Sequence, residues 1–117
     1  MAVLTRSVAG AAMALGLLTG CLPVDVPVHV HNEMASAVKV RIAGGNPPWA
    51  TIAPSEAVGV GAFQYTGWGN VPDRWVPDDF TGLEVLLSTE ARADVDADAF
   101  LGAATYDRGW TYRLTAD

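Results

Sequence analysis

From Val24 onward the chain alternates apolar and other residues with a period of two. In Val24-Asp25-Val26-Pro27-Val28-His29-Val30-His31 the four valines fall on one side of an extended backbone, with Asp25, Pro27, His29 and His31 on the other. That is the pattern of a half-buried strand. Asn32-Glu33-Met34-Ala35-Ser36 breaks the alternation, and Ala37-Val38-Lys39-Val40-Arg41-Ile42-Ala43 resumes it. Paired as a hairpin about this break, the two strands set Val30 opposite Val38, Val28 opposite Val40 and Val26 opposite Ile42, so each inward residue meets a branched partner. The same register brings Lys39 opposite His29 and Arg41 near Pro27.

Gly44-Gly45-Asn46-Pro47-Pro48 continues neither strand nor helix, because its glycines are too free and its prolines lack a donor. Trp49 to Ala53 reads as a third strand, Pro54-Ser55-Glu56 as a turn and Ala57 to Tyr65 as a fourth strand. In that strand Gly59 and Gly61 share a face, where their lack of a side chain admits a close neighbour such as a tryptophan ring. Thr66 to Thr81 is irregular, punctuated by Gly67, Gly69, Pro72 and Pro77, with Trp68, Trp75 and Phe80 between them. Gly82 to Ser88 and Arg108 to Leu114 are further strands. Thr89 to Ala99 is polar and alanine-rich, a solvated loop or a short helix capped by Ser88 or Thr89. Repeats and heptads are missing. Six or seven short strands between turn residues predict an all-β fold, a single small antiparallel β-sandwich or partly closed barrel over residues 24–117. From Val28 to Val60, the runs HNEMASAVKVRI and TIAPSEAVGV resemble immunoglobulin-like β-sandwich modules of secreted bacterial proteins. The resemblance implies a fold and no activity, since such folds host many unrelated functions.

The first twenty residues change the picture. One charge, Arg6, precedes an apolar and small-residue run of about eleven residues, Val8 to Leu18, the arrangement of a secretory signal. The run ends at Cys21-Leu22-Pro23, short of the roughly 20 apolar residues that a spanning helix needs. At its exit Leu18-Thr19-Gly20-Cys21 resembles the lipobox of bacterial lipoproteins. The resemblance implies a diacylglyceryl group on the Cys21 thiol, cleavage before that residue, a lipidated tether over residues 21–23 and a membrane partner held through lipid. Leu22 follows the cysteine where aspartate would resemble an inner-membrane retention signal. The expected location is thus the outer membrane of a Gram-negative cell, or the extracytoplasmic face of the membrane of a Gram-positive one.

Cys21 is the chain's one cysteine, so a lipid there leaves no thiol for a disulfide or a metal. Removal of the signal leaves roughly 100 residues, at the small end for a single core. The formal charge of −6 becomes one unit more negative on loss of Arg6, which argues against nucleic acid as a partner.

Among motifs with chemistry, His29 and His31 are the candidate metal ligands, on one strand face with Asp25 and Glu33. Lys39 and Arg41 in the hairpin register oppose a cation there. Asp94-Val95-Asp96-Ala97-Asp98 opens like a calcium loop, but Ala99 and Thr105 occupy the positions where glycine and glutamate are required. A glycine-framed serine, carboxylates facing across a cleft and a phosphate-cradling loop are all missing, so the expectation is a protein that is not an enzyme and has no cofactor. Tyr65, Trp68, Arg74 and Trp75 are the residue types that meet a protein or a glycan, and equally the types that fill a small core. Two functions follow: a non-catalytic binding or structural module contacting an envelope partner through the loops from Tyr65 to Phe80, or a small ligand or metal carrier using His29, His31 and the acidic segment.

Overall fold

The computed structural model describes residues 23–44 and 48–116. Residues 1–22, on which the expected signal and the lipidation of Cys21 fall, lie outside the described residues, as do Gly45-Asn46-Pro47 and Asp117. The described residues divide into two compact units, one of Asp25–Phe63 with the residues from Asp73 onward, the other of Gln64–Pro72 with Val24.

The strands are β1 (Val24–Asn32), β2 (Val38–Ile42), β3 (Ala50–Ile52), β4 (Ala57–Tyr65), β5 (Gly82–Leu86), β6 (Val95–Asp96), β7 (Thr105–Tyr106) and β8 (Trp110–Leu114), with one helix, α1 (Ala97–Ala103). They form two four-stranded sheets, ordered β4-β1-β8-β7 and β3-β2-β5-β6. Among the described residues the fold is all-β with one short helix, in keeping with the alternation.

The pairing differs from that prediction. β1 and β2 lie in different sheets, so residues 33–37 carry the chain from one sheet to the other and do not close a hairpin. β2 instead pairs antiparallel with β3, Val38 opposite Ile52, and with β5, Val40 opposite Val85 and Ile42 opposite Leu83. Nor is the fold wholly antiparallel: β1 runs parallel to β8, with Val28 opposite Trp110, Val30 opposite Tyr112 and Asn32 opposite Leu114. The hairpin reading fails because alternation shows which side chains turn inward and not which strand lies alongside. Val26, Val28 and Val30 of β1 and Val38 and Val40 of β2 are buried in either arrangement.

Pro27 is unusual in a strand with neighbours on both sides, since proline cannot donate to a ladder. Gly109 makes room for it: a Cβ there would stand 2.8 Å from Pro27 Cγ. The glycines of β4 meet other neighbours than a tryptophan ring. Gly59 lies against the His29 imidazole and Gly61 against Ile42.

The core joins the aliphatic residues of both sheets to a run of aromatic rings. Phe63 packs edge-on to Trp75 and Phe80, Phe80 edge-on to Phe100, and Phe100 against Trp110 and Tyr112, with neighbouring centroids 5.0–6.5 Å apart. Phe100 is the buried residue of α1. Asp96, not Ser88 or Thr89, caps that helix, its carboxylate accepting from Ala99 N at 2.8 Å. Among the described residues Asn32 is the buried polar one. Its Nδ2 donates to Ser36 O at 2.9 Å and Ile52 O at 3.0 Å, while Oδ1 accepts from Met34 N at 2.9 Å. Its backbone donates to Glu56 O and accepts from Ser55 N, so one side chain and one peptide unit hold the 33–36 turn, the end of β3 and the 53–56 turn together.

Candidate functional site

The four residues expected to meet a partner separate into two environments. Arg74 and Trp75 converge on Trp110, which is fully buried. The Arg74 guanidinium lies 4.9 Å from the Trp110 ring centroid and donates to Leu101 O at 2.5 Å, near the C-terminal end of α1 where carbonyls lack intrahelical partners. Trp75 is half-buried, and its carbonyl accepts from Trp110 Nε1 at 3.0 Å. Arg74 thus contacts the larger unit from an exposed position, and Trp75 contributes its carbonyl and a ring packed edge-on to Phe63.

Tyr65 and Trp68 belong to Gln64–Pro72 in the smaller unit. A Cβ at Gly67 would collide with the Tyr65 phenol, so that ring covers the glycine. Gly69 takes a positive φ of 80° and has open space where a Cβ would stand. Between these two glycines Trp68 is 76% exposed. The four tryptophans therefore divide: Trp110 is core, Trp49 and Trp75 are half-buried and Trp68 is presented to solvent.

His29 and His31 share the outer face of β1, as the alternation predicts. The cation beside them is not the one expected, because Lys39 and Arg41 lie in the other sheet. Arg113 comes alongside His31 through the parallel register of β1 and β8. Its guanidinium lies 3.2 Å from His31 Nδ1 and donates to the Glu33 carboxylate, which itself lies 3.2 Å from His31 Nδ1. A guanidinium there repels a divalent ion, and it engages the Glu33 carboxylate that a metal would need. Among the described residues no three His, Cys, Asp or Glu side chains gather as a metal site.

The acidic segment is built into local structure. Asp94 accepts from Val85 N at 2.9 Å and from Arg92 Nε and Nη2 at 3.0 and 2.7 Å. The hydrogen bond from Arg92 holds the Asp94 carboxyl below its usual range, and the same contact raises the guanidinium. Asp96 is occupied as the helix cap. Near them is a cluster that no sequence signal marks. Trp49 has Arg41 4.2 Å from its ring centroid and Arg92 at 5.8 Å, and Arg41 Nε pairs with Glu84 Oε1 at 2.5 Å. Arg41 and Glu84 are 43 residues apart and meet only because β2 and β5 pair. With guanidinium groups already over it, Trp49 is not a free stacking platform. A shallow groove of about 360 Å³ on the same sheet is lined by Lys39, Thr51, Leu86, Ser88 and Glu90 among others.

Comparison with protein-family models, curated proteins and solved structures gives no match to this chain. Among the described residues no helix is long and apolar enough to cross a membrane.

Proposed function

We propose that the protein is a lipoprotein of the bacterial cell envelope, anchored through lipid on Cys21 to the outer membrane or to the extracytoplasmic face of a single membrane. It acts as a non-catalytic binding module with an immunoglobulin-like β-sandwich body. The observation that carries this reading is Leu18-Thr19-Gly20-Cys21 at the exit of a charged and then apolar leader. The start of β1 at Val24, three residues beyond Cys21, supports it, since three extended residues reach only about 10 Å and the folded body begins beside the anchor. Two sheets with inward alternation, joined at Asn32 and the 53–56 turn, support the sandwich. Arg74 is exposed but donates to Leu101 O, and Trp75 is half-buried against Phe63, so this reading gives binding to the segment around Trp68.

Two acyl chains suffice for stable attachment where one does not, so location follows from the modification. The test is mass spectrometry of the N-terminus of the protein purified from its host's membranes, beside fractionation of Cys21→Ser. A diacylglyceryl-modified Cys21 and transfer of the variant to the soluble fraction are expected. An unmodified thiol, or a variant that sediments with membranes as before, overturns the reading.

A further inference from the structure

We propose that Gln64–Pro72 is a membrane-interface contact, with Trp68 the side chain that enters the boundary between lipid headgroups and acyl chains. The proposal rests on the reading of Cys21 as a lipid anchor and names what the Trp68 segment binds.

Among the described residues the large hydrophobic side chains that stand exposed are Val24, at 46%, and Trp68, at 76%. Both belong to the smaller unit. Val24 stands three residues after Cys21 in sequence, and Trp68 stands in a loop of the same unit. Within the larger unit the strands lead to the same place. Asn32 N donates to Glu56 O and Gly59 faces His29, so β4 runs opposite to β1, and the Phe63 part of β4 lies by the Asp25 part of β1. The chain therefore departs toward Trp68 close to where it arrives from Cys21.

The chemistry of the segment suits a bilayer boundary. Gln64-Tyr65-Thr66-Gly67-Trp68-Gly69-Asn70-Val71-Pro72 contains no charged residue, so none must be stripped of water or held against a headgroup of like sign. Tryptophan and tyrosine prefer the membrane–water boundary, where the ring is apolar and the indole N–H or phenol stays wet. The open space around Gly69 leaves the Trp68 indole free to project. The charged side chains nearest the segment are Asp73 and Arg74, which follow it, and the Arg74 guanidinium donates to Leu101 O.

The test uses the protein purified with its anchor and reconstituted into phosphatidylethanolamine–phosphatidylglycerol vesicles with acyl chains brominated near the headgroup. Tryptophan emission is compared for the native chain, Trp68→Phe and, as a control inside the larger unit, Trp75→Phe. The expected result is a quenched, blue-shifted component present in the native chain and in Trp75→Phe and lost in Trp68→Phe. Equal quenching in the native chain and Trp68→Phe, with Cys21 shown to be lipidated in the same sample, overturns the inference and leaves the lipoprotein reading standing. A free Cys21 thiol overturns both. Protection of Trp68 from iodide in isolated envelopes without quenching by brominated lipid assigns the segment to a protein or glycan and overturns the membrane contact.

Discussion

Asn32 shows how much one residue can decide in a small core. Its amide directs two N–H groups at the carbonyls of Ser36 and Ile52 and one oxygen at the Met34 N–H, and it is fully buried. An aspartate fits the same space but turns a carboxylate oxygen toward two carbonyl oxygens, with no donor left to offer. A buried charge without a partner costs about 3–5 kcal/mol, so Asn32→Asp is expected to lose that much stability at neutral pH. Protonation restores one O–H donor and favours the folded state. The gap between the variant and the native chain therefore narrows as pH falls toward the ordinary carboxyl range near about 4. Urea unfolding followed by tryptophan fluorescence across a pH series checks both statements; an equal loss at every pH would show that the carboxylate charge is not the cause. The residue-level chemistry visible in sequence was partial for the same kind of reason. The shared face of His29 and His31 follows from alternation alone, whereas Arg113, 82 positions from His31, reaches it only through the pairing of the first and last long strands.

At the scale of elements, strands were legible and their company was not. Alternation places β1 and β2 closely because each carries a run of five or more residues with one buried face, whereas in β4 the buried positions, Val60 and Phe63, are three apart. It is nearly silent on β6 and β7, two residues each, which exist because β5 and β8 offer open edges to pair with. It also misplaces the helix, since α1 is only seven residues long and too short to be stable by propensity. Tertiary contacts hold it: Asp96 caps its start, Arg74 donates to Leu101 O near its end, and Phe100 lies between Phe80, Trp110 and Tyr112. These contributions should rank by mechanism. Loss of the cap in Asp96→Ala costs about 1 kcal/mol, and removal of the fully buried ring in Phe100→Ala costs about 3–5 kcal/mol. Denaturation midpoints of the two variants measure the ranking. A Phe100→Ala loss no larger than that of Asp96→Ala would mean that the aromatic run can close over the gap.

The topology of the whole chain carries the last consequence. A hairpin between β1 and β2 would be a local contact, of a kind that forms in about 1–10 μs, and would give the first sheet an early nucleus. In the observed order β4-β1-β8-β7 the central pair is instead the parallel β1 and β8, drawn from opposite ends of the folded body. Val28 cannot meet Trp110, nor Asn32 meet Leu114, until nearly the entire chain has been brought into a closed loop. The entropy of that closure precedes any gain from burial. Small domains dominated by such distant pairings fold in milliseconds to seconds, and this one is expected to fall in that range although most of its strands are short. Trp110 reports the event, because its indole is fully buried only when β1, β8 and Phe100 are together. Stopped-flow refolding of the native chain and of Trp110→Phe should show that the Trp110-dependent change occurs in the slowest major phase. A Trp110 signal complete within microseconds would mean that β8 assembles with β7 and α1 before β1 arrives, and that the parallel pair is not the limiting step.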